Sequence, residues 1–287
     1  MSTAALSLPR RFAALVKFEH TVFALPFAYV GAFLAVDGYP GTANIVWLTL
    51  AMVGARTLAM ALNRLVDAEI DAHNPRTAGR ELPAGRLSIA QVVAFCLAAL
   101  ALFLVAVFQL NDVVRWLWPI PVVGFVIYPY LKRVTWLCHL WLGAVDGLAP
   151  MGAWVAITGK LPLEAWELGG AVAAWVAGFD LFYSLFDVDV DRREGLHSLA
   201  TRFGVSGVFW GARLLHALTV VLLALVGIGL SLGVWYWLGV AVVAVLLAVE
   251  HALVAPRDLR RLNAAFFTMN GVISVVFFVF VLAEALS

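Results

Sequence analysis

Three oxygen-bearing side chains, Asn63, Asp67 and Asp71, recur every fourth residue at the end of an apolar segment that runs from Ile45 to Leu65. On a helix this spacing places all three on one face. A stripe of this kind at the mouth of a membrane helix is never favoured by lipid alone. Hard oxygen ligands suit Mg²⁺, which is commonly held by one or two carboxylates plus substrate phosphates. Arg76 and Arg80 follow in the next loop and are suited to a phosphate. This stretch predicts a Mg²⁺-diphosphate site at a membrane surface.

A second acidic stretch has the same character. Asp180, Asp187 and Asp191 are seven and four apart and share a helical face, while Asp189 points elsewhere. Four Asp at a membrane boundary, with no run of Lys beside them, require another cation. The two halves of the chain echo each other. Each acidic motif closes an even-numbered apolar segment, then come Arg residues, a polar loop, and a Ser near the next segment, Ser88 in one half and Ser206 in the other. Facing one cavity, the two motifs would clamp a diphosphate through two or more Mg²⁺ ions. Charge balance requires those metals, because five or six carboxylates and a diphosphate cannot share a site bare.

Other polar residues sit within apolar surroundings. Arg56 lies seven residues before Asn63, two turns or about 10 Å deeper on the same face. It either pairs with Asp146 or Asp180, or anchors a substrate carboxylate. Asp146 lies among Gly143, Ala144, Gly147 and Ala149, small residues that allow close helix approach or cavity space. Lys17, Glu19 and His20 stand where the first apolar segment begins, as interfacial anchors or as part of a site. Pro26 is expected to kink that segment. Lys132 is either a charge set by membrane topology or a phosphate contact, and its position favours the first. Cys96 and Cys138 read as small buried hydrophobes. The stretch Arg260 to Gly271 suggests no chemistry beyond its Arg cluster. No phosphate-binding Gly loop, zinc spacing or Ser/His/Asp nucleophile set is visible.

These residues must be positioned by membrane helices. The chain has 287 residues, 63% hydrophobic and 13% charged, against about a quarter charged in soluble domains. A bilayer core needs about 20 apolar residues per helix. Nine spans are predicted, roughly over 19–37, 44–66, 89–109, 113–131, 137–157, 167–187, 206–230, 233–254 and 264–285. Barrel strands would be shorter and would alternate in polarity. Met1 to Lys17 is mixed and does not read as a cleaved signal. Lys and Arg gather at the N-terminus and in the loops after the second, fourth, sixth and eighth spans, against only Arg115 and Lys160 on the other side. The positive-inside rule then puts the N-terminus in the cytoplasm and the C-terminus outside, in a multi-pass protein of the inner (cytoplasmic) membrane. The loop from Ala72 to Ser88 is predicted to be a partly ordered cap on the cytoplasmic side. The net charge of +1 implies no attraction to nucleic acid, and no protein partner is evident.

The paired motifs, residues 63–80 and 180–198, resemble those of the UbiA superfamily of intramembrane prenyltransferases. Glu19 to Pro26, Asn74-Pro75-Arg76-Thr77 with Arg80, and Glu194 to Ser198 followed by Arg202-Phe203-Gly204 are similar to its 4-hydroxybenzoate polyprenyltransferase branch. The family pattern often has a second Asp or Asn after the first Asn, and Arg64 stands there in this chain. The resemblance implies a single domain over 1–287, an all-α membrane protein of about nine transmembrane helices around a central cavity, capped on the cytoplasmic side by the loops after the second and sixth. It implies Mg²⁺ and a polyprenyl diphosphate donor. By motif position, Asn63, Asp67, Asp71, Asp180, Asp187 and Asp191 would hold the metals. Lys17, Arg76 and Lys132 would touch the diphosphate, and Arg56 the carboxylate of an aromatic acceptor. The stretches 19–26 and 264–271 look most like members of the futalosine route to menaquinone, whose acceptor is a dihydroxynaphthoate. An allylic cation would form near Phe179, Phe182, Tyr183, Phe186 or Tyr128, although for each of these plain lipid-facing or core packing is the better reading. The competing expectations are a member acting on a glycerol phosphate or a haem vinyl group, and a transporter with carboxylate-lined sites.

Overall fold

The computed structural model describes residues 8–16, 21–253 and 269–287. Within them the chain is all-helical. A short helix α1 (Leu8–Val16) precedes α2 (Thr21–Leu34) and α3 (Thr42–Val66). The first motif continues into α4 (Ala68–His73), and α5 (Ile89–Val107) follows. One turn, α6 (Val114–Leu117), leads into α7 (Pro119–Leu131), then α8 (Cys138–Thr158) and α9 (Leu163–Ser184). The second motif forms α10 (Val188–Arg193), and α11 (Leu199–Gly229), α12 (Val234–Leu253) and α13 (Asn270–Ala285) complete the order.

Six described segments are long and apolar enough to cross a membrane: α3, α5, α6 with α7, α8, α11 and α12. Leu25–Leu34 in α2, and α13, are apolar but shorter. The spans expected over 19–37 and 264–285 lie partly outside the described residues, as do Lys17, Glu19, His20 and the Arg257 to Arg261 cluster. Span 167–187 corresponds to α9, whose 22 residues include Glu164, Glu167 and Asp180. Pro26 lies inside α2, which continues past it. Cys96 and Cys138 are buried free thiols, as expected.

Two expectations about helix starts resolve differently. Ser88 caps α5, accepting from the Gln91 backbone N–H while the Gln91 side chain accepts from the Ser88 N–H. Its counterpart is Ser198 rather than Ser206, with Thr201 completing the box. The seven residues between Ser198 and Ser206 include Thr201, Arg202 and Gly204, which interrupt the apolar run. The cap bonds satisfy their first N–H groups, and the chain starts its helix there. Gly204 inside α11 takes φ 67 and ψ −172, a conformation that glycine alone adopts easily, and breaks the helix into two pieces.

Helix packing follows from small residues. Lipid tails are as apolar as Leu, so burial alone does not hold membrane helices together, and close van der Waals fit does. α8 packs on α9, α9 on α11, and α3 on α5. α2 packs against α8 and α13, and α12 links α13 to α11. Gly143 and Gly147 of α8 meet the backbone carbonyls of Ala173 and Gly169 in α9, with no room for a Cβ. The small residues around Asp146 therefore serve close helix approach on that face. Phe27, Trp154, Trp175, Tyr236 and Phe277 fill the largest buried cluster, among α2, α8, α9, α12 and α13.

The α8–α9 contact orients every polar residue of those helices. Gly143→Ala and Gly147→Ala force methyl groups into the α9 backbone and should each cost about 1–3 kcal/mol by overpacking. Gly152→Ala, where a Cβ meets open space, should leave thermal stability in detergent unchanged. Equal melting temperatures for all three variants would contradict the contact.

Candidate active site

One end of the bundle is built from the two motifs. α3 stops at Val66, and Asp67 takes φ −92 and ψ 6 before α4 begins. Asp187 takes φ −111 and ψ 0 between the end of α9 and α10. Each motif thus bends at its central Asp rather than running on as one helix, as the spacing had suggested. The chain stays nearly helical across both bends: the N–H of Asp71 donates to the Asp67 carbonyl at 2.8 Å, and that of Asp191 to the Asp187 carbonyl at 2.8 Å. The acidic side chains consequently still share a cavity of about 660 Å³, lined by Asn63, Asp67, Asp71, Asp180, Asp187 and Asp191. Away from this end the lining turns apolar, through Ala55, Met52, Phe103 and Val107 to Trp118 and Trp166.

Asp67 is 3% exposed. It accepts from Lys132 Nζ at 2.6 Å, from Arg133 Nη2 at 3.1 Å and from Asn63 Nδ2 at 3.2 Å. Arg133 also donates to the Val66 carbonyl, tying α7 to the bend. Lys132 therefore belongs to the site, although its position in the sequence had favoured a topological role. Both oxygens of Asp71 accept from Arg80 Nη1 at 2.6 Å.

The two motifs meet through the first loop. Asn74 Nδ2 donates to Asp187 at 2.7 Å, and Arg76 reaches the same carboxylate through Nε at 2.9 Å and through Nη2. Arg76 Nη1 donates to the Tyr183 hydroxyl at 2.6 Å. His73 and Glu194 make a second contact between the loops at 3.3 Å. Asp191 accepts no side-chain hydrogen bond among the described residues. Burial, and then the charge of Asp187, push its carboxyl up to about 6. Asp189 is exposed and does not line the cavity.

Deeper in the cavity the structure chooses between the two carboxylates expected to pair with Arg56. Arg56 pairs with Asp146 across α3 and α8, Nη1 to Oδ1 at 3.1 Å, and its Nε has no hydrogen-bond partner. Asp180 instead faces His139, Oδ2 to Nδ1 at 2.7 Å. The Leu199 N–H donates to the other nitrogen of His139 at 3.4 Å. That network assigns the ring proton to Nδ1. His139 was passed over in the sequence, since a His 41 residues from its partner obeys no local spacing. Arg133 was missed for the same reason, its one signal being adjacency to Lys132. Among the aromatics, Tyr128, Phe179 and Tyr183 line the cavity. Phe182 is 1% exposed and packs against Phe209, and Phe186 packs beside the same cluster, so neither faces the cavity.

The carboxylates are not bare. Asp67, Asp71, Asp146, Asp180 and Asp187 each have a basic or His partner. Part of the charge balance expected of metals on a bound diphosphate is thus already supplied by these basic side chains. In a medium where an unpaired charge is costly, the nearest Lys and Arg take that role. Among the described residues no three His, Cys, Asp or Glu side chains converge to form a metal cage. The donor set still fits Mg²⁺, which takes one or two carboxylates, keeps several waters and draws its other ligands from phosphate oxygens.

Residues 24–272 match the UbiA prenyltransferase family. The 4-hydroxybenzoate octaprenyltransferase of Marinobacter nauticus is 33% identical over 243 residues, covering 84% of this chain and 82% of that protein. The enzyme of the same name from Aromatoleum aromaticum is 30% identical over 246 residues, covering 85% and 83%. The apo structure of a UbiA homologue from Aeropyrum pernix K1 superposes with a TM-score of 0.85 at 32% identity, covering 93% of this chain and 98% of that one. A UbiA homologue from Archaeoglobus fulgidus, bound to GPP and Mg²⁺, shares the fold with a TM-score of 0.77 at 19% identity, covering 96% and 100%. With both acidic motifs turned into one cavity between membrane helices, and the match running through nearly the whole chain, this integral membrane protein belongs to the UbiA prenyltransferase family of transferases.

Proposed function

We propose that the protein transfers a polyprenyl group from a polyprenyl diphosphate to a hydroxyaryl carboxylate, 4-hydroxybenzoate or 1,4-dihydroxy-6-naphthoate, in ubiquinone or menaquinone biosynthesis. The observation that carries this reading is the cavity itself. It is acidic and basic at the motif end, apolar over the rest of its lining, and holds an Arg two turns in from the motif. The named relatives act on 4-hydroxybenzoate, and the Archaeoglobus fulgidus homologue binds GPP with Mg²⁺. The reading takes residues 1–287 as one domain with nine spans, the motif end and N-terminus in the cytoplasm, and the two motif loops as a cap over the cavity.

In this reading Asn63, Asp67, Asp71, Asp187 and Asp191 hold Mg²⁺. Bound there, the metal neutralises the leaving diphosphate and so eases ionisation of the allylic C–O bond. Arg76 and Lys132 bind the diphosphate, with Lys17 assigned to it by resemblance alone, since it lies outside the described residues. Arg80, already in place on Asp71, borders the same end. Tyr128, Phe179 and Tyr183 line the space where the cation would form. Arg56 lies eleven residues before the bend at Asp67 and Asp180 seven before the bend at Asp187, about 16 Å and about 10 Å inward along their helices. Arg56 binds the acceptor carboxylate there, oriented by Asp146. A ring carbon ortho to the phenolic hydroxyl attacks the cation, and its proton passes to Asp180, which His139 orients. Asp180 thereby leaves the metal-binding set to which motif position had assigned it.

The direct test is a panel of aromatic acids with one long polyprenyl diphosphate, purified protein and Mg²⁺, read by mass spectrometry. Absence of a prenylated acid and of diphosphate release with every acceptor would sink the proposal. Asp191→Ala should abolish turnover while folding is retained, since among the described residues Asp191 has no hydrogen-bonded side chain to strand. Asp67→Ala should abolish turnover too, but with a stability loss on the order of 3 kcal/mol, because Lys132 and Arg133 are left facing a void. Asp189→Ala should be mild. Near-wild-type activity in Asp191→Ala would mean that the site is misassigned.

Arg56→Lys keeps the charge but loses the planar fork. The acceptor's KM should rise by an order of magnitude or more, corresponding to about 1–3 kcal/mol for a charged hydrogen bond. The donor's KM should change little. A lowered melting temperature with an unchanged acceptor KM would restrict Arg56 to its pair with Asp146.

The raised carboxyl of Asp191 also predicts a pH effect. The folded protein holds that proton more tightly than the unfolded chain, so this group lowers stability as pH rises from about 4 through about 6. In EDTA, Asp191→Asn should raise the melting temperature at pH 7.5, and the gain should shrink as pH falls toward 4. A gain independent of pH would show that the ionised carboxylate is not the cause.

A further inference from the structure

Arg64 stands in the last turn of α3, one residue after Asn63 and three before Asp67. It is 7% exposed and lines the polar end of the cavity. The neighbouring cations there have carboxylate partners: Arg76 has Asp187, Arg80 has Asp71 and Lys132 has Asp67. Among the described residues Arg64 forms no ion pair. Its one hydrogen bond is from Nε to the Leu15 carbonyl at the end of α1, at a long 3.4 Å. Asp71 lies within its electrostatic reach, and so does Arg80. Both oxygens of Asp71, however, are already engaged by Arg80. Two guanidinium groups therefore share one carboxylate, and among the described residues the outer N–H groups of Arg64 make no hydrogen bond.

A buried cation that only shares a carboxylate already engaged by another Arg is costly, and a fold keeps one where an anion arrives. The guanidinium fork matches phosphate oxygens. We infer that Arg64 is a direct ligand of the diphosphate, one that holds it without a metal. This rests on the polyprenyl diphosphate reading and adds to it. Where resemblance leads one to expect an Asp or Asn, which would add a ligand for metal, this chain carries a charge that acts on the diphosphate itself. Binding of the diphosphate group should accordingly survive removal of Mg²⁺ better than a purely metal-clamped site allows.

The test uses the full chain in detergent, titrated calorimetrically with inorganic pyrophosphate in EDTA, with melting temperatures taken without ligand. The wild type should bind pyrophosphate in EDTA. Arg64→Gln should weaken that binding by about tenfold or more, and Arg64→Lys by less, at unchanged melting temperature. Adding Mg²⁺ should return most of the affinity. Unchanged pyrophosphate affinity in either variant overturns the inference, and Arg64→Lys decides it if Arg64→Gln does not fold. A loss of affinity only in proportion to a loss of melting temperature also overturns it, assigning Arg64 to the contact with α1. Wild-type binding that requires Mg²⁺ overturns this inference alone. Wild-type protein that binds no pyrophosphate, with or without Mg²⁺, would instead sink the donor reading.

Discussion

A charge inside a helix bundle in lipid must find an opposite charge or a hydrogen bond, because no water is there to solvate it. The polar half of this structure follows from that constraint. Asp67 shows it most plainly. It lies almost fully buried at the end of α3, and Lys132, Arg133 and Asn63 all converge on it. Through those bonds the end of α7 is fastened to the end of α3, and the walls of the cavity take their places.

The same constraint joins the halves of the molecule. Asp187 belongs to the second motif, but its partners Asn74 and Arg76 come from the loop after the first. Breaking a pair of this kind strands a charge, so the two motif loops hold each other in register. The bends at Asp67 and Asp187 serve the same end. Beyond the bend, the last carboxylate of each motif, Asp71 or Asp191, still lines the cavity. The near-equal dihedral angles at the two positions make the echo between the halves a structural one.

The pairing also has a chemical consequence. A site whose carboxylates and cations already neutralise one another can accept a diphosphate and its metal by exchanging partners. Under the proposed function the cations would turn to phosphate oxygens while the carboxylates turned to metal. Such an exchange needs no large motion, only side chains of the length of Arg76 and Lys132. Among the described residues Asp191 accepts no side-chain hydrogen bond and Arg64 forms no ion pair of its own, so the two stand outside the balance on opposite sides of it.

Composition and period alone determined that the chain is helical and lies in a membrane, because a long apolar segment has few other stable states. They also located both acidic motifs and the residues Arg76 and Arg80, since spacing along a helix is a local property. Partner choice was not local. Arg56 could have met Asp146 or Asp180, and only the crossing of α3 with α8 chose Asp146. That crossing left Asp180 to His139 and brought Lys132 to Asp67 across 65 residues of sequence. The bends at Asp67 and Asp187 were equally invisible, because a spacing of four reads as continuous helix whether or not the central residue departs from helical angles. Phe182 and Phe186 carried the same sequence signal as Phe179 and Tyr183, and it was the packing of α9 against α11 that turned the first two away from the cavity. Helical identity is written in each segment, but which charge answers which depends on how the segments cross, and that crossing is set by small residues such as Gly143 and Gly147, whose effect appears only when another helix lies against them.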